Sequence, residues 1–168
     1  MEFIDQIRET ILEELPEQPL SRAEAWSQIL WETSSQPKSG EELTSKIKKL
    51  ALMGLIVWKN CEGNGVAKSA TENLGVIEHL FDTDPTLLQF ATSQSMFEVF
   101  ELLADQVASV PEDAGEEEIS AVAQKVAVAC ISSLLSDIRI TEGRNAMVGQ
   151  AVEDLLAKYG GSGDCLCE

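Results

Sequence analysis

The sequence predicts an all-α protein, a short stack of repeated helical units, and three observations carry that prediction. The stretch Lys46–Leu103 runs an apolar helix pattern (Ile47, Leu50, Ala51, Gly54, Val57, Trp58), a polar break at Asn60-Cys61-Glu62-Gly63-Asn64, then a short pattern (Val66, Ala67, Ala70, Leu74). Gly75, the turn-and-a-half Val76–Phe81, Asp82-Thr83-Asp84-Pro85 and a long apolar stripe follow. The same grammar returns at Val152-Glu153-Asp154-Leu155-Leu156, which matches Ile77-Glu78-His79-Leu80-Phe81 in pattern 75 residues further on. Leu50–Trp58 is apolar almost all the way round, as the inner helix of a stack must be.

Each element has a local cause. Phe3, Ile4, Ile7, Ile11, Leu12 and Leu15 recur at helical intervals between Asp5, Glu9, Glu13 and Glu14, and Pro16 and Pro19 end the pattern. Its apolar face has to pack on the body of the protein or on a partner. Ser21-Arg22-Ala23-Glu24 has the spacing of a capping box and starts a helix to about Thr33, with Leu20 placed to staple onto Ala25. Trp26, Ile29 and Leu30 line one side, with Trp31 off it. Ser39-Gly40-Glu41-Glu42 repeats the box spacing ahead of a helix to about Lys59.

Gly75 is placed as a helix C-terminus, with Asp84 as N-cap and Pro85 in the first turn of one long helix through Leu87, Leu88, Ala91, Met96, Phe97, Val99, Phe100, Leu103 and Val107. Pro111 closes it. The acidic run Pro111–Glu118 feeds carboxylates into the first turn of the next helix, where the helix dipole favours them. That helix spans Ile119–Ser136, and Arg144–Gly149 and Ala151–Leu156 read as two short successors. Residues 1–159 form one helical domain of about seven helices, and Gly160–Glu168 is a flexible Gly/Cys tail by composition.

Charge narrows the function. The chain of 168 residues has 12 basic against 29 acidic side chains, a formal charge of −17, which repels phosphate backbones and anionic lipid. The expectation is no nucleic acid and no membrane. The N-terminal Met1-Glu2-Phe3-Ile4-Asp5 is acidic where a signal peptide is basic, so cytoplasm, with the nucleus second, is the expected compartment. Lys46, Lys48 and Lys49 share one turn and are expected on a solvated face; the rarer role is a docking patch. Cys61, Cys130, Cys165 and Cys167 are irregularly spaced and expected to be reduced.

The order long helix, loop with asparagine, short helix, glycine, Ile-x-x-Leu, acidic Asp-Pro and long helix resembles the armadillo repeat. The residues Glu72-Asn73-Leu74-Gly75, Leu80-Phe81-Asp82-Thr83-Asp84-Pro85 and Thr86-Leu87-Leu88, after the helix Lys46–Asn60, are similar to the armadillo-like serum amyloid A-like (synoviocyte proliferation-associated) family. The likeness covers residues 24–106. It implies an armadillo/HEAT-like fold and a non-enzymatic role linked to cell proliferation, and it brings no catalytic residues.

Chemistry-bearing residues are few. His79 is the single histidine and lacks a nucleophile elbow around it, so no hydrolytic triad is read, and one histidine with scattered cysteines falls short of a zinc site. Cys165 lies four from the end, as in a prenylation box, but Glu168 is a poor last residue for that signal. No cofactor or metal is expected. The functional expectation is a protein–protein interaction scaffold whose groove uses Lys46, Lys49, Trp58, Phe97 and Phe100 to hold a partner segment, a basic one given the charge. The alternative is a small acidic winged-helix regulator binding protein partners in a transcription complex, with Met53-Gly54-Leu55-Ile56 closing a recognition helix and a wing after it.

Overall fold

A computed structural model describes residues 21–59, 70–84, 87, 89, 95–135 and 144–160. These hold six helices and no strand: α1 (Arg22–Glu32), α2 (Gly40–Lys59), α3 (Ala70–Thr83), α4 (Met96–Ala108), α5 (Glu116–Leu134) and α6 (Arg144–Gly160). No described helix is long and apolar enough to cross a membrane. The segments Phe3–Leu15 and 161–168, with Cys61, Cys165 and Cys167, lie outside the described residues.

α1 starts where the capping box places it. The Glu24 amide donates to Ser21 Oγ at 3.1 Å and the Ser21 amide to Glu24 Oε1 at 2.9 Å, so two orphan donors are satisfied reciprocally. At α2 the pattern is modified: the Glu42 amide donates to Ser39 Oγ, while Glu42 Oε1 accepts from the Lys38 amide instead. α2 and α5 make the most extensive contact and form the middle of the fold. α1 and α4 cover it on one side, and α6 on the other, with α3 packed outside α6. Leu50–Trp58 is buried throughout, as its all-round apolar pattern requires.

α2 meets α5 at small residues. A Cβ on Gly54 would sit 2.9 Å from the Ala123 carbonyl oxygen and 2.9 Å from the Ala127 amide nitrogen, so the absence of a side chain lets the two backbones touch. Ala51, Ala123 and Ala127 are fully buried in the same core.

Some local features recur about 75 residues apart. α1 and α4 both open on a serine–glutamate capping box, Ser21/Glu24 and Ser95/Glu98. Each is followed by a proline in the connection (Pro37, Pro111) and a Gly-Glu-Glu at the start of the next helix (Gly40–Glu42, Gly115–Glu117), about 75 residues after its counterpart. A side-chain contact recurs with them. Lys49 Nζ lies 3.9 Å from Glu32 Oε2, and Lys125 Nζ lies 3.3 Å from Gln106 Oε1, joining the last turn of α1 to α2 and of α4 to α5. α2 packs closely on α5 and α3 on α6, whereas α1 packs chiefly on α2 and touches α4 only lightly.

Three boundaries differ from the sequence expectation. Gly75 does not end a helix; α3 runs through it from Ala70 to Thr83, because an exposed helical glycine with open space around it costs only about 1 kcal/mol. Ser95 is extended (φ −141°, ψ 157°) and caps a new helix, so Leu87 and Phe97 do not share one long helix. Arg144–Gly160 is one helix, where two short ones were expected. The winged-helix alternative also loses its recognition helix boundary, since α2 continues through Gly54-Leu55-Ile56-Val57-Trp58 to Lys59.

Asn73 is the misfit of the interior. It sits beside Ile77 on the buried face of α3, the helix that packs on α6, is fully buried, and neither its amide nitrogen nor its oxygen finds a hydrogen-bond partner among the described residues. A buried polar group left unpaired costs about 1–3 kcal/mol. Replacing it by leucine removes that cost, so Asn73→Leu is expected to raise Tm by about 2–12 °C for a chain of this size. A thermal scan showing a lower Tm for Asn73→Leu contradicts this account of the site.

Candidate functional site

The five residues nominated for a partner groove do not come together at the surface. Trp58 and Phe100 are 0% and 1% exposed and belong to the core, and Lys46 is only 7% exposed. The groove drawn from the sequence therefore has to be corrected: its two largest side chains hold the helices to one another. Aromatic residues on a helical stripe are the strongest core formers in this chain, and the apolar stripes around Trp58 and Phe100 carry them inward.

Lys46 is not on a solvated face either. Its Nζ donates to the Glu32 carbonyl oxygen at 2.9 Å and lies 3.3 Å from Glu32 Oε1, so it closes the C-terminal end of α1 and neutralises the Glu32 carboxylate at once. The ammonium also stands 5.9 Å from the centre of the Phe100 ring. Lysine 46 thus ties α1, α2 and α4 together. Of the nominated residues, only Lys49, with its side chain 39% exposed, and Phe97, 44% exposed, reach solvent.

Phe97 lies at the head of the outer face of α4. Exposed along it are Glu98, Glu101, Asp105 and Ala108, spaced so that 97, 101, 105 and 108 lie in one row. The amphipathic pattern turns Val99, Phe100, Leu103 and Val107 inward, leaving this row outside. Beyond the end of α4 the chain stays acidic and exposed, through Glu112 and Asp113 to Glu116, Glu117 and Glu118 in the first turn of α5. Phe97 stands at the head of α4, with exposed carboxylates at 98, 101 and 105 on the helix and at 112, 113 and 116–118 beyond it.

His79 is exposed on α3, and no group of histidine, cysteine, aspartate and glutamate among the described residues is arranged to hold a metal. Cys130 is free and fully buried in α5, and burial pushes its thiol far above its usual range, so the thiolate needed for reaction is suppressed. A depression lined by Gly40, Glu41, Thr44, Ser45 and Lys48 at the start of α2 is shallow and open. No protein-family model, curated protein or solved structure matches this chain.

Proposed function

We propose that the chain is a non-enzymatic interaction scaffold, a short armadillo-like stack of two three-helix units (α1–α3 and α4–α6), which docks a basic segment of a protein partner on the outer face of α4. The observation that carries the reading is Phe97, exposed beside Glu98, Glu101 and Asp105. An aromatic anchor supplies burial and the carboxylates supply steering and register, the division of labour found at interfaces where charge sets partner choice. The stack is supported by the recurring caps and by the close packing of α2 on α5 and of α3 on α6.

The excess of 17 negative charges favours a basic partner over nucleic acid or anionic lipid. The partner is met in the cytoplasm or nucleus. A variant carrying Phe97→Ser, Glu101→Lys and Asp105→Lys keeps the buried face of α4 intact and reverses the charge of the outer one. Capture of proteins from lysate on the intact chain, compared with this variant, tests the reading. A set of basic proteins retained by the first and reduced at least about tenfold on the second, a loss of about 1.4 kcal/mol or more, is the expected result. Equal retention by two chains of equal helical content rejects the α4 face.

A further inference from the structure

α3 is held to the molecule differently from the other described helices. Its one extensive contact among them is α6, whereas each of the other five contacts at least two. Of its side chains only Asn73 and Ile77 are buried, with Leu74, Val76, Leu80 and Phe81 partly so. One of the two buried positions is thus an amide whose nitrogen and oxygen both lack a partner among the described residues. α1, also at the edge of the fold, is built in the opposite sense: its buried carboxylate, Glu32, is paired with Lys46. Gly75 in the middle of α3 weakens that helix further, since it lowers helix propensity and fills no space. The C-terminal end, by contrast, is fastened. Asp84, one residue past α3, places Oδ2 3.0 Å from Lys125 Nζ on α5, and its carbonyl oxygen accepts from the amide of the fully buried Leu87.

We propose that α3 is a lid on α6: it detaches as one unit, pivoting at Asp84, while α1, α2, α4, α5 and α6 stay assembled. Opening returns the Asn73 amide to water, which removes the penalty it carries in the closed position and offsets part of the apolar contact that is lost. α6 keeps its own contacts with α2 and α5 when α3 leaves, so the remaining helices have no need to unfold with it. Once detached, α3 does not stay helical, because 14 residues with a central glycine fall at the length where an isolated helix is marginal in water. Its backbone amides then report the opening. The motion is independent of the docking face on α4, so either assignment stands if the other fails.

Hydrogen–deuterium exchange of the full chain, read residue by residue in urea concentrations below the unfolding transition, tests the proposal. The amides of residues 76–81 are expected to share one protection factor, at least about a hundredfold lower than that of residues 50–58 in α2 and 126–131 in α5. Their exchange is also expected to respond less steeply to urea, because the opening exposes less surface than global unfolding. Residues 148–152 of α6 are expected to follow the core. Asn73→Leu, measured in the same way, is expected to slow exchange in α3 about tenfold, since the closed position then carries no unpaired amide. Exchange of α3 with the protection and the urea response of α2 and α5 overturns the proposal, because the helices then open only together. Protection that falls off gradually along α3 with no common value overturns it as well, being fraying from an end, and so does an Asn73→Leu chain in which α3 exchanges as fast as in the parent.

Discussion

Gly54→Ala is expected to lower stability by about 2 kcal/mol and Gly54→Leu to abolish the folded state, although both residues are better helix formers than glycine. The cause is the contact between α2 and α5. A methyl group at position 54 would press on the Ala123 carbonyl oxygen and the Ala127 amide nitrogen, each 2.9 Å away, and these are backbone atoms that cannot swing aside. The helices must separate, and every contact of the central pair loosens with them. Gly75→Ala is the control. It lies exposed within α3 with nothing near its missing Cβ, so the same substitution is expected to stabilise by about 0.5–1 kcal/mol. Urea unfolding curves for the three variants separate close approach from helix propensity: a midpoint for Gly54→Ala at or above that of the parent contradicts the assignment.

Lys46→Met is expected to cost about 3 kcal/mol, an effect on folding rather than on binding. It would leave the Glu32 carboxylate, in a residue only 8% exposed, with the more distant Lys49 at 3.9 Å as its remaining cation. It would also strip the Glu32 carbonyl oxygen, at the open end of α1, of its ammonium donor. Glu32→Leu alone leaves a buried ammonium and is expected to cost a similar amount. The double variant removes both charges and is expected to recover most of the loss, since a buried ion pair replaced by apolar groups of similar size is often neutral. A double-mutant cycle in urea gives the coupling. Additive losses would mean that Lys46 and Glu32 act separately, against the short contact between them.

Much of the fold is legible in local chemistry. The Ser21–Glu24 box marks the start of α1 within a residue, and the all-round apolar run Leu50–Trp58 marks the buried centre of α2. Both signals concern neighbours in the chain. Ser95–Glu98 is the same box, but it falls inside an apolar stripe that stays in phase from Leu87 to Leu103, so periodicity hides the cap; only the extended backbone at Ser95 reveals a new helix. Gly75 misleads in the opposite sense, because its use as a terminator depends on a conformation that its sequence does not encode.

The candidate site was less legible for the same reason. Lys46 shares a face with Leu43, Ile47 and Leu50, a position that marks it as inward, yet its partner Glu32 lies 14 residues away across a loop. Phe97 and Phe100 are three residues apart on one helix, and their different fates follow from which side of α4 meets α2 and α5. The internal recurrence proposed for the chain is read in the sequence at Ile77–Phe81 and Val152–Leu156, and in the short helix, Glu-Gly loop and long apolar helix before each. The stronger marks, the two capping boxes and the two lysine contacts, emerge once the helices are paired in space.

The salt dependence of partner binding tests the central claim most directly. A basic partner captured on the intact chain is to be titrated at low and at physiological ionic strength, alongside the Phe97→Ser, Glu101→Lys, Asp105→Lys variant. Docking on the acidic α4 face predicts that Kd rises several-fold as screening shortens the reach of Glu101 and Asp105, and that the variant binds weakly at both salt concentrations. A Kd that ignores both salt and the variant would contradict the account and place the interaction elsewhere on the chain.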